Sequence, residues 1–259
     1  MFDDQILDSY IKNFLGYGNP NGEICFVGLE EGIGISENDL KKNPTLAFTE
    51  VNSKINFWKN RGEKQLEDCK EYHLKFDNQW HNNSVNKIQS TWSGPIRTLL
   101  SYENKPITKS SMIDFQINRL FRAQDNNAMI ELRPLPNKNL SNSTWFYSQF
   151  TEMNYLKSRN AYESQITEER IKTLKKFFEV KKFKHVIFLS ISKKVKKFWQ
   201  EISQNEFLDI DQDYYPTKDN KFIMTHHPTS YPKNDSLKSL NLDDVFVNLG
   251  VYLKKIKQK

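Results

Sequence analysis

Three short segments of this 259-residue chain hold residue types suited to chemistry. Gly28-Leu29-Glu30-Glu31-Gly32 sets two carboxylates between glycines, and Glu131-Leu132-Arg133-Pro134 places an acid near a cation. His226-His227-Pro228-Thr229-Ser230 offers two imidazoles beside a turn. A carboxylate can orient water or stabilise a developing cation, and an imidazole can donate to a developing anion. Each segment also has an ordinary structural reading. Paired glutamates often open a helix and favour its dipole, and adjacent histidines are commonly surface or capping residues. The histidines could share a metal with Glu30 or Glu31, but no HExxH-like spacing supports it. Neither a metal nor a cofactor is expected. The run Lys193-Lys194-Val195-Lys196-Lys197 reads as a solvated helix face.

The flanking elements decide whether these segments can meet. Ile6, Leu7, Tyr10, Ile11 and Phe14 have the spacing of an amphipathic helix over residues 5–15, ended by the turn-rich stretch Gly16 to Gly22. Four apolar runs then read as buried strands: Ile24 to Val27, Ala128 to Leu132, His185 to Ser190 and Lys221 to Thr225. Helical patterns at 167–183, 192–203 and 236–256 lie after the second, third and fourth. Thr167 is the expected cap of the first of these helices, with Glu168 and Glu169 at its positive end. Continuous apolar strands alternating with helices predict a three-layer α/β/α sandwich around a four-stranded parallel sheet. In such a sheet ligands bind beyond the carboxyl ends of the strands. All three segments fall after strands, so one shared rim is expected.

The stretch 33–126 is too long for a simple crossover and holds Trp58, Trp80 and Trp92; a helical insertion within a single domain is expected. With 37% hydrophobic and 13% aromatic residues the chain can pack a core, which excludes global disorder. A formal net charge of +6 favours polyanionic partners. Two cysteines, Cys25 and Cys69, cannot by themselves complete a zinc site or a four-thiolate cluster. An acidic amino terminus and the lack of a membrane-length apolar stretch point to a reducing, cytoplasmic setting without membrane association.

The segment Gly16-Tyr17-Gly18-Asn19-Pro20-Asn21-Gly22-Glu23-Ile24-Cys25-Phe26-Val27-Gly28 resembles the opening of the iron–sulfur branch of the uracil-DNA glycosylase superfamily. His227-Pro228-Thr229-Ser230 is similar to the His-Pro-Ser motif after that family's last strand. The resemblance covers about two-thirds of the chain and leaves out most of 33–126. It implies the family's fold, DNA as partner and hydrolysis of an N-glycosidic bond after a base is flipped out of the stack. A monomer is expected. Three departures stand out. The cluster cysteines are missing, Glu30-Glu31 replaces an Asp, Asn or Ala followed by Pro, and Glu131 stands where the family reads uracil with an asparagine.

By resemblance, Glu30 stabilises the cationic sugar or orients water, with Glu31 as the substitute if the register slips by one. His227, or less favourably His226, donates to the leaving base. Ser230, Lys233, Arg133 and Lys138 are candidates for phosphate contacts, with Arg133 alternatively paired to Glu131. Tyr231 either wedges into the vacated stack or packs its own loop, and Phe48 is a candidate for stacking on the flipped base. Glu131 as a carboxylate only accepts, which would suit an exocyclic amine. The expected substrate is therefore a non-canonical pyrimidine, such as a modified cytosine of phage DNA. Uracil repair and a catalytically silent DNA-binding module are the alternatives.

Overall fold

The computed structural model describes residues 1–76, 80–82, 84–139, 142–211, 213–229 and 241–257. It is an α/β structure with a mixed seven-stranded sheet and nine α-helices among the described residues. Contacts divide the chain into two compact units interleaved in sequence. The first comprises Met1–Gly16, Gly28–Glu67 and Ile130–Val180; the second comprises Tyr17–Val27, Asp68–Met129 and Lys181–Lys259. The described part of the stretch 33–126 includes five α-helices, and its residues are divided between both units.

The strands are β1 (Gly16–Gly18), β2 (Ile24–Gly32), β3 (Leu66–Glu67), β4 (Asn127–Asn137), β5 (His185–Leu189), β6 (Tyr214–Pro216) and β7 (Phe222–Thr225). Their order is β3-β1-β4-β2-β5-β7-β6, so the four sequence-predicted strands form its contiguous centre. β2 and β5 are parallel, as are β5 and β7, whereas β6 runs antiparallel to β7. The expectation of four strands missed the three short ones. β1 lies inside the glycine-rich turn, where Gly18 takes φ +109° and its missing side chain leaves room for the Asn127 carbonyl.

Two predicted strands are also longer than expected, and this moves the chemistry. β2 continues past Gly28 through both glutamates, and a bond from Ile33 N–H to the Asn137 carbonyl (3.2 Å) holds it beside β4. β4 continues through Pro134 and Pro136. Prolines are tolerated where a strand edge needs no ladder donor, and here side chains cover that edge. Arg170 bonds the Glu131 and Leu132 carbonyls (2.9 and 3.1 Å), Tyr162 accepts from Leu135 N–H (3.2 Å), and Tyr147 donates to the Pro136 carbonyl (2.8 Å).

In the first unit, α1 (Asp4–Asn13) packs on α3 (Pro44–Asn60) through Tyr10 and Phe14 against Trp58, and α2 (Glu37–Lys42) precedes α3. The helix α7 (Arg159–Val180) begins eight residues before its expected cap. Thr167 is therefore a buried mid-helix residue rather than a cap. Its inward face includes Arg159, Tyr162, Ile166, Arg170, Leu174 and Phe177; two arginines on that stripe disguise its first turns in a hydrophobicity reading.

The second unit contains α4 (Cys69–Phe76), α5 (Ser90–Tyr102), α6 (Lys109–Asn118), α8 (Lys193–Ser203) and α9 (Leu242–Lys257). The helices α5 and α9 approach closely: a Cβ on Gly250 would stand 2.4 Å from the Thr98 carbonyl oxygen. Phe188 on β5 stacks on Trp199 of α8 and on Phe222 of β7, with centroids 4.7 and 5.9 Å apart. The lysines of 193–197 lie on α8 opposite Val195 and Trp199, whose burial anchors the helix.

Candidate functional site

Because β2 runs through Glu30 and Glu31, the two acids occupy successive strand positions rather than a loop. Successive side chains leave a strand toward opposite faces, and the two accordingly hold different partners. Glu30 is 5% exposed and receives a two-pronged ion pair from Arg159 of α7, both bonds 2.7 Å. Arg159 also bonds Glu163 at 2.8 Å, and Glu163 in turn pairs with Arg133. Arg133 lies 3.9 Å from Glu30, closing a quartet of two acids and two guanidiniums. Burial pushes the Glu30 carboxyl up, and Arg159 and Arg133 oppose that push. Glu31 is 18% exposed and lies 3.8 Å from Lys54 of α3, which sits 3.0 Å from Glu50.

Glu131 is in mid-strand and 9% exposed, and its Oε2 makes no hydrogen bond among the described residues. Burial, reinforced by the charges of Glu31 and Glu30, holds its carboxyl well above the usual carboxylate range; Arg170 opposes this weakly. Burial therefore makes the side chain keep its proton to higher pH than an ordinary glutamate does. A protonated carboxyl both donates and accepts, which removes the premise that residue 131 can only accept. Arg133 is buried and paired with Glu163, not with Glu131, so the structure gives it a partner inside the protein in place of a phosphate. Lys138 is exposed at the end of β4. Phe48 stacks on Phe150 at 4.5 Å and meets Phe2 edge-on at 4.8 Å, so packing occupies a face of the proposed stacking ring.

The histidines belong to the second unit, directly after β7. His226 is buried. His227 Nδ1 accepts from the Thr229 N–H (3.3 Å) and lies 3.0 Å from the Thr229 hydroxyl, so the ring hydrogen sits on Nε2. Burial lowers its proton affinity, keeping the imidazole neutral with one N–H to give. Ser230, Tyr231 and Lys233 lie outside the described residues.

Sequence reasoning found Glu30, Glu31, Glu131 and Arg133, and the structure gathers them in the first unit. It missed Arg159, Glu163, Lys54 and Arg170, which neutralise or frame them. The available signal was Arg159 and Glu163, four residues apart at the start of a helical stretch, a spacing that puts both on one face. Comparison of the chain with family descriptions, curated proteins and solved structures finds no match. No described helix is long and apolar enough to cross a membrane.

Proposed function

We propose that this chain is a DNA N-glycosylase that hydrolyses the bond between deoxyribose and a non-canonical pyrimidine. The observation that carries the reading is Glu131, a buried carboxyl whose Oε2 has no bond among the described residues; burial raises its pKa and so favours the protonated form. A buried polar atom without a partner costs about 1–3 kcal/mol, and a bound base would satisfy it. The acid O–H can donate to a ring acceptor while its carbonyl accepts from an N–H. That pair of contacts fits the O4 and N3–H of uracil, and equally the N3 and N4–H of a cytosine. Protonated Glu131 thus keeps both substrates open, and the uracil reading gains from it.

In the hydrolysis, water adds to C1′, the C1′–N1 bond breaks, and its electron pair leaves with the base. Glu31 is better placed than Glu30 for water, since Glu30 is committed to Arg159. Glu31 takes the water proton; protonation of the departing base is the role that the family resemblance gives His227, which keeps a neutral Nε2–H. Lys138 is the exposed cation assigned to phosphate.

Alkali cleavage of labelled oligonucleotides carrying uracil, cytosine or modified cytosines tests the proposal. Wild type is expected to cut at uracil or at a modified cytosine, and Glu31→Gln and His227→Ala to lose turnover while still binding DNA. Tight binding without cutting of any substrate would replace the enzyme with a DNA-binding module. Neither binding nor cutting would remove DNA as the partner.

A further inference from the structure

A second constellation lies in the second unit and plays no part in the proposed hydrolysis. Cys69 and His73 occupy positions four apart on α4, which puts both side chains on one face of the helix. His81, from the segment after α4, completes the group. One ligand atom from each of the three lies within 4.8 Å of the other two, and all three residues are buried. Cys69 Sγ stands 3.4 Å from His73 Nδ1 and 3.6 Å from His81 Nε2. Zinc–sulfur and zinc–nitrogen bond lengths at a tetrahedral angle give a ligand–ligand edge of about 3.6 Å. Both sulfur–nitrogen edges thus already have the length a tetrahedral zinc imposes, and the two nitrogens lie within 4.8 Å of each other, so a small movement of one ring closes the third edge.

We propose that Cys69, His73 and His81 bind a zinc ion. The surroundings hold the three ligands in place. Asp68, next to Cys69, accepts from Arg122 (2.8 and 2.9 Å), from Ala123 N–H (2.9 Å) and from Glu71 N–H (3.0 Å). The segment bearing His81 is tied by Gln116, whose amide donates to the Trp80 and Lys87 carbonyls (2.9 and 3.3 Å) and accepts from Gln89 N–H (2.9 Å). The Trp92 ring lies 5.1 Å from His81 and 5.6 Å from His73, and Tyr17 lies 5.1 Å from His73, walling the site with aromatic surface. His81 Nδ1, the nitrogen turned away from the thiol, is buried with no bond among the described residues.

The donor set selects the metal. One thiolate and two imidazoles suit zinc, whereas calcium and magnesium require oxygen ligands that this group lacks. Among the described residues the group has three members, so the fourth zinc position is open to water or another donor. Binding expels the Cys69 thiol proton. His73 Nδ1, now 2.8 Å from the Cys69 carbonyl, moves its proton to Nε2 and turns its lone pair to the metal. The ion ties α4 to the segment that follows it. The expectation from two cysteines, that they cannot make a zinc site alone, holds only until histidines are counted with them. The sequence signal was Cys-x3-His-x7-His.

Metal analysis and cobalt substitution of the full chain test this. The expected result is one zinc per chain as isolated. Replacing it with cobalt should give intense visible bands of tetrahedral geometry and a near-ultraviolet thiolate-to-cobalt band. Cys25 and Cys69 are the only cysteines, so persistence of that band in Cys25→Ser assigns it to Cys69 even if Cys69→Ser does not fold. Folded Cys69→Ser should lose the band, and His81→Ala should lose stoichiometric zinc. Wild type that binds neither zinc nor cobalt, a band lost in Cys25→Ser, or copper in place of zinc would each overturn the assignment. None of these readouts depends on glycosylase activity.

Discussion

In the first unit, the side chains of Glu30, Arg133 and Arg159 are buried and meet the partly exposed Glu163, two acids and two guanidiniums with each charge facing an opposite one. In the second unit, Cys69, His73 and His81 are buried as three potential metal ligands gathered at one place, with no charge of opposite sign among them. The first cluster balances its own charges, although the Nε of Arg133 and of Arg159 has no bond among the described residues. The second does not, and burial holds its His81 neutral by lowering the ring's pKa to about 3. Titratable residues gathered in a core are therefore a poor guide to function until their partners are counted. By that measure the carboxyl to watch in the first unit is not Glu30, on which sequence reasoning centred. It is Glu131, where one oxygen has no bond among the described residues.

The sharpest way to break the comparison is to remove one member of the self-neutralising cluster. Arg159→Ala leaves Glu30 and Glu163 with a single guanidinium, and losing one partner of a buried pair costs about 3–5 kcal/mol. Urea unfolding at neutral pH should show that loss. The variant's Glu30 would carry a folded-state pKa raised further above its ordinary 4.5. A raised carboxyl pKa favours the folded state at low pH and is penalised as pH rises, so the deficit should shrink as pH is lowered. A loss below about 1 kcal/mol, the range of exposed pairs, would mean the quartet is not a closed unit.

The sequence revealed the central strands and the order of helices because their signal is apolar runs and helical spacing, as in His185–Leu189 and in Val195 and Trp199. It hid the extent of β2 and β4. Glu30, Glu31, Pro134 and Pro136 read as loop residues, and the Arg159 pair and the Arg170, Tyr147 and Tyr162 bonds help to make a strand tolerable there. Those partners lie 27 or more positions away along the chain from the residues they support, apart from Tyr147, at 11. The same distance effect hid the true partner of Arg133. Glu131, two residues off, was the nearer candidate, but alternate strand residues share a face without needing to touch.

Glu131→Gln should have the next largest effect, with opposite sign. The folded wild type holds a proton that the unfolded chain releases above its usual pKa of 4.5. Folding thus takes up a proton, and stability falls by about 1.4 kcal/mol per pH unit from there to the folded pKa. Glutamine never ionises and is free of that slope. The variant should be more stable than wild type at pH 7, with the advantage vanishing toward pH 4. Parallel stability curves for the two proteins would show that Glu131 is an ordinary carboxylate and would sink the neutral-acid reading of base recognition.

The smallest effect on stability is expected at Glu31. Its side chain is partly exposed and 3.8 Å from Lys54, and Lys54 keeps the nearer Glu50 at 3.0 Å when Glu31 is neutralised. Glu31→Gln should therefore change stability by less than about 1 kcal/mol. If Glu31 takes the water proton, the same change should slow base release by about 100- to 10,000-fold. Glu30→Gln supplies the contrast: it loosens the Arg159 pair, so any fall in activity there should come with a fall in stability. A Glu31 variant that is stable and still active would return the catalytic role to Glu30. The quartet would then be a reacting group held in reserve by Arg159, and the distinction between satisfied and unsatisfied clusters would fail at the site where it was first drawn.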